Sequence, residues 1–168
     1  SMVNQSSALV LGGVTPQRLG NAHPSISPYE IFECSDRSIV IAVGNDSQFV
    51  NLCEALGVPE LSADTRFTEN SKRVGNRDAL RGELDKALVA KTADHWFERL
   101  NKAGVPCGPI NSIPQAFELA EQLGLEPVRE GMVANPVSFS RTPVEYRMAP
   151  PGLGASTAEI ISEFGLDI

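Results

Sequence analysis

Few residues in this chain are of a type that leads a reaction. The two histidines, His23 and His95, are far apart, and neither has a partner at the spacing that lets two side chains share a metal, so no metal is expected. His95 stands beside Trp96 in a helical pattern and reads as a surface or boundary residue. His23 stands in the stretch Arg18-Leu19-Gly20-Asn21-Ala22-His23-Pro24-Ser25-Ile26-Ser27-Pro28-Tyr29, which reads as a loop entering a strand. Its surroundings suit a packed structural histidine or a ligand contact. The three cysteines, Cys34, Cys53 and Cys107, are odd in number, widely spaced and without a Cys-x-x-Cys pair. They read as reduced thiols of a cytoplasmic protein rather than a disulfide framework or a zinc site. Cys107, with no nearby histidine or lysine to favour its thiolate, reads as a small buried hydrophobe. Gly44-Asn45-Asp46 closes a strand and opens a helix, so it either turns N–H groups toward an anion or makes an ordinary turn. No nucleophile elbow, zinc-protease helix, phosphate-cradling glycine loop or dinucleotide fingerprint is present.

The elements around these residues follow from periodicity and punctuation. Gln5–Leu11 reads as the end of a helix stopped by Gly12-Gly13, as if an element began upstream, and Ser1-Met2 looks like a vector residue before a start codon. Tyr29–Cys34 and Ser38–Val43 read as strands joined by a turn, the second apolar on both faces and so buried. Asn45 and Gln48 have capping-box spacing, followed by the stripe Phe49, Leu52, Cys53 and Leu56. A loop leads to a helix capped near Asn76 with Leu80, Leu84 and Leu88, and Thr92 opens another with Trp96, Phe97 and Leu100. Val105–Ile110 is too rich in proline for a central strand and reads as an edge or connector. Pro114 starts a helix with Phe117, Ala120 and Leu123 inward. A proline-rich arm from Leu125 to Pro151 carries no helix, and a capping box at Ser156–Glu159 opens a last helix with Ile160, Ile161 and Phe164. The fold class is α+β: a small antiparallel sheet with flanking helices, then an extended C-terminal arm and terminal helix. Such an arm is more natural along another domain's surface than inside a compact domain.

A hydrophobic fraction of 42% and a charged fraction of 21% over 168 residues describe a folded domain rather than a disordered chain. A net charge of −7 argues against a nucleic-acid partner, whose phosphates need lysine and arginine. No apolar run approaches the roughly 20 residues of a membrane helix.

The loop at 18–29, Ile41-Ala42-Val43-Gly44-Asn45-Asp46-x-Gln48-Phe49, and Asp64-x-Arg66-Phe67-x-x-Asn70-x-x-Arg73-Val74-x-Asn76-Arg77 occur in order. Ala103–Asn111 and Ala149-Pro150-Pro151-x-Leu153-Gly154 follow. Together they resemble the class III CoA-transferases, also known as the carnitine dehydratase/bile-acid-inducible F (CaiB/BaiF) family. The resemblance implies an upstream doubly wound domain, absent from these residues, that carries the catalytic aspartate. It also implies a division into the end of a large-domain helix (1–17), a small domain (18–124) and a return arm with terminal helix (125–168). None of Asp36, Asp46, Asp64, Asp78, Asp85, Asp94 and Asp167 matches the family nucleophile, so no catalytic residue is expected here. Gly20, Asn21, Ala22, His23 and Pro24 match a loop that covers the reacting acyl group, and Gly44 and Asn45 join them as expected substrate contacts. CoA thioester is then a substrate, with no further cofactor. The resemblance implies that the whole protein acts on acyl-CoA and a carboxylic acid as transferase, racemase or dehydratase and forms a homodimer, and that this chain alone is inactive. The alternative is a non-catalytic module that binds a partner protein.

Overall fold

The computed structural model describes residues 2–166, so Asp167 lies outside the described residues. These residues divide into two compact units, one up to Ile110 and one from Asn111.

In the first unit, helix α1 (Val3–Gly12) ends where Gly13 turns left-handed, and none of its side chains is buried. Strands β1 (Tyr29–Glu33) and β2 (Ser38–Ala42) pair antiparallel, with Glu30 opposite Ile41 and Phe32 opposite Ile39. The expected burial of β2 on both faces is not observed. Ile39, Ile41 and the following Val43 are fully buried while Val40 and Ala42 are half-buried, because an antiparallel sheet need pack only one face tightly.

Helix α2 (Asp46–Leu56) starts at Asn45, whose Oδ1 accepts the Gln48 N–H at 2.9 Å. Gln48 reaches back to the N–H of Gly44, at 2.7 Å, rather than to that of Asn45. Phe49, Leu52, Cys53 and Leu56 are buried as the stripe predicts. Two short helices, α3 (Glu60–Ala63) and α4 (Asn70–Gly75), occupy ground that reads as loop in the sequence. Helix α5 (Arg77–Leu88) buries Leu80, Leu84 and Leu88, each contributing roughly 1.5–3 kcal/mol by leaving water. Asn76 does not cap it. Its amide donates backward to the Lys72 carbonyl at 2.9 Å. Helix α6 (Ala93–Lys102) opens on Thr92 and buries Trp96, whose indole N–H donates to Leu88 O at 2.7 Å, and Leu100. Strand β3 (Cys107–Pro109) then pairs antiparallel with β2, giving the order β1-β2-β3 with the proline-rich strand at the edge.

The second unit opens with α7 (Ile113–Gln122), where the Gln115 side chain accepts the Ser112 N–H at 2.8 Å. The sequence reading keeps this helix with the small domain, but it lies in one compact unit with the arm. Ala116, Phe117 and Ala120 line the same cavity as arm residues, and Leu125 N donates to Ala120 O at 2.9 Å. Leu123, expected inward, is exposed. In the arm, β4 (Val128–Arg129) and β5 (Met132–Val133) form a small hairpin. Helix α8 (Thr157–Phe164) follows. Ser156 makes no capping bond, since its backbone is not extended as an N-cap requires, and Ile160 and Phe164 are exposed. Among the described residues no helix is long and apolar enough to cross a membrane.

Candidate functional site

The loop before β1 is held at almost every residue. Gly20, at φ 61°, lets the chain reverse so that Ala22 N donates to Leu19 O at 3.0 Å. A Cβ added at Gly20 would meet nothing within 4 Å. The Asn21 side chain accepts the N–H of Ile31 at 2.8 Å. The His23 ring stacks on Tyr29, with centroids 5.2 Å apart and planes 17° apart, and the His23 backbone N–H donates to Tyr29 O at 2.9 Å. Folding contacts are therefore built into Asn21 and His23, so the loop is not a free flap on the strand.

The base of the loop is fixed from α4 and α5. The Asn70 amide is a two-way peg, donating to Ser25 O at 2.8 Å and accepting Ser27 N–H at 3.1 Å. Arg77 Nη2 donates to His23 O at 2.7 Å and to Ile26 O at 3.3 Å. Arg81 Nη1 donates to Ile31 O at 2.9 Å and pairs with Glu30 at 2.8 Å. Glu30 sits on the packed face of the sheet, and the Arg77 and Arg81 guanidinium groups offset the desolvation of its carboxylate. Burial alone would lower the Arg81 guanidinium, yet the hydrogen bonds it donates to Asp85 and Glu30 carry it above its ordinary value.

Arg73 joins the two candidate segments. Its guanidinium is fully buried over the Phe49 ring, 4.4 Å from the centroid. It donates to Ser27 O at 2.8 Å, to Phe67 O at 3.0 Å, and to Asp46 Oδ1 at 2.7 Å. Ser27 belongs to the loop and Asp46 to the turn after β2, while Val43 N donates to Pro28 O at 2.9 Å beside them. Loop 20–28 and turn 43–46 are thus one construction. The Gly44 N–H, offered in the sequence reading as an anion donor, is taken by Gln48, and the first turn of α2 carries the acidic Asp46. The Asn45 side chain is likewise spent on its cap. Asn70, Arg73 and Arg77 stand out in the sequence only as letters of the family pattern, and Arg81 lies outside that pattern. The signal was the spacing of four between Arg73, Arg77 and Arg81 after Asn70, with Arg73 in α4 and the other two on one face of α5.

The remaining reactive types are occupied or masked. Asp36 accepts the Ala93 N–H, which together with Arg37 holds its carboxyl below the usual range. Asp64 is lowered by Arg66, Asp85 pairs with Arg81, and Asp94 with Arg37. Burial pushes the Cys34 thiol up to about 11 and Cys53 up to about 12, and raises Cys107 in the same way. These thiols are protonated in the folded state at pH values where the unfolded chain ionises them. Stability is therefore full below the ordinary thiol value of 9.0 and falls as pH climbs through the raised values. Urea midpoints at neutral and strongly alkaline pH should show this loss, and Cys53→Ala should reduce it. A thiol reagent at neutral pH should label Cys107 before Cys34 and Cys53.

The comparisons with known proteins bear on the same segments. The model for CoA-transferase family III matches residues 1–157. The chain is 39% identical over 157 residues to the acetyl-CoA:oxalate CoA-transferase of Acetobacter aceti, covering 90% of this chain and 40% of that protein. It is 34% identical over 172 residues to the succinate–glutarate CoA-transferase of Agrobacterium fabrum, covering 96% and 43%. The crystal structure of a CAIB/BAIF family protein from Brucella suis superposes with a TM-score of 0.77 at 35% identity, covering 96% of this chain and 44% of that one. The chain thus spans about two-fifths of the length of these relatives. Because the family match runs from α1 through the tethered loop and the arm to the start of α8, the chain belongs to CoA-transferase family III.

Proposed function

We propose that the chain is the C-terminal part of an enzyme that moves CoA between an acyl-CoA and a short carboxylic acid. The family match over residues 1–157 carries this reading, and the names of the oxalate and glutarate transferases support small dicarboxylates as the acid class. In this reading an aspartate outside the chain is the nucleophile, forming an acyl anhydride and then an aspartyl-CoA thioester. Gly20–Pro24 cover the reacting group, Gly44 and Asn45 lie at its edge as further substrate contacts, and Arg73 ties Ser27 of the loop to Asp46 of the adjoining turn. CoA thioester is a substrate, and no other cofactor is needed. The three free cysteines support a reducing, cytoplasmic setting. The exposed Val133, Val137, Phe139 and Leu153 of the second unit support contact with the remaining domain or a second copy in a homodimer.

Gly20→Ala tests the covering role. In the chain itself the new Cβ meets nothing, so the effect on folding is the left-handed backbone penalty of about 1–2 kcal/mol. In the full-length enzyme the same methyl group projects toward the acyl group, and kcat should fall by roughly tenfold or more, equivalent to about 1.4 kcal/mol of barrier. Unchanged turnover in a folded variant would remove the loop from the site.

A further inference from the structure

The His23 ring is held on every side but one. Its plane is set by the stack on Tyr29, while the backbone N–H of His23 donates to Tyr29 O and the backbone carbonyl accepts from Arg77. The ring nitrogen Nδ1 lies 3.2 Å from the backbone N–H of Ser25 and 3.5 Å from the Ser25 hydroxyl. A backbone amide can only donate, so Nδ1 must present its lone pair, and the proton of the uncharged imidazole sits on Nε2. Among the described residues Nε2 has no hydrogen-bond partner, and it is not a buried orphan either. Nε2–H is thus the one polar group of the ring left open to a partner outside the described residues. We propose that His23 is a substrate-orienting hydrogen-bond donor, offering Nε2–H to an acyl oxygen, either a carboxylate oxygen of the acid or the carbonyl oxygen of the thioester.

This assignment rests on the reading of the loop as the cover of the acyl site, and it adds which atom makes the contact. It also gives the Ser25 amide a role, since that amide fixes the tautomer and His23 itself touches substrate.

Two measurements test it. In the 168-residue chain labelled with nitrogen-15 histidine, His23 should show the Nε2-protonated tautomer, while the exposed His95 shows an exchanging mixture. A proton on Nδ1 of His23 would overturn the proposal. In the full-length enzyme, His23→Phe keeps the stack on Tyr29 and loses the donor, whereas His23→Gln restores an N–H. The Phe variant should raise KM by roughly tenfold or more for whichever substrate supplies the oxygen, and Gln should recover most of it. An effect on KM of the acid alone identifies the carboxylate, and on the acyl-CoA alone the thioester carbonyl. A normal KM for both substrates in His23→Phe, with Gly20→Ala still impaired, refutes the His23 contact and leaves the loop reading standing. Normal behaviour in both refutes the two together. A change in melting temperature with no change in KM assigns His23 to folding only and equally refutes the contact.

Discussion

Arg73→Met should melt about 10 °C or more below the wild-type chain, a loss of about 3–5 kcal/mol. Methionine fills much of the volume and still packs on Phe49, so lost area is the smaller term. The larger one is that the carbonyls of Ser27 and Phe67 keep their buried positions and lose their donor. Each buried carbonyl left unpaired costs about 1–3 kcal/mol. Asp46 contributes less, because its side chain is 56% exposed and water replaces the guanidinium. Asp46→Asn should therefore cost under about 1 kcal/mol, as exposed ion pairs do. Arg73→Lys keeps the charge, but one ammonium cannot meet three acceptors in the fork geometry of a guanidinium, so it should fall between. Thermal and urea melts of the three variants check the order. An Arg73→Met protein as stable as wild type would show that the loop and turn are held by something else.

The second large effect is an absence of turnover. Purified chain, given acetyl-CoA with oxalate or succinyl-CoA with glutarate, should exchange no CoA above background. Covalent transfer needs an activated nucleophile. The described aspartates at 36, 46, 64, 85 and 94 are each ion-paired with an arginine, and Asp78 lies in the first turn of α5. The thiols are held protonated by burial. Mass spectrometry of the CoA esters gives the readout. Transfer that disappears when a single residue of the chain is replaced would place the nucleophile here and overturn the division of labour proposed above.

What was legible in the sequence was local. The Asn45 cap, the α2 stripe, the leucines of α5, the Thr92 cap and the edge placement of Cys107–Pro109 each follow from neighbours within a turn or two. Helices α3 and α4 have four and six residues, too few for a period to register. Asn76 and Ser156 carry the right side chains for N-caps, but the backbone at each is not extended and the caps do not form. The site was legible as a loop and not as a construction. Glu30, Asp46 and the carbonyls of His23, Ile26 and Ser27 are remote in sequence from the arginines they meet. No pattern within one segment announces such a pairing, and a family motif names the letters without the bonds.

The bonds at Ile31 reach beyond the loop. This residue faces the open side of β1, where a row of unpaired N–H and C=O groups would ordinarily recruit a strand from another molecule. Here its N–H is covered by Asn21 and its carbonyl by Arg81, and the carbonyl of Tyr29 is covered by the His23 N–H. At the opposite border of the sheet, β3 ends in a proline that has no N–H to offer. Strand addition is therefore blocked at the β1 border, and the β3 border offers one N–H fewer to a new strand. Copies of this chain thus have a poor route to associate by extending the sheet at β1.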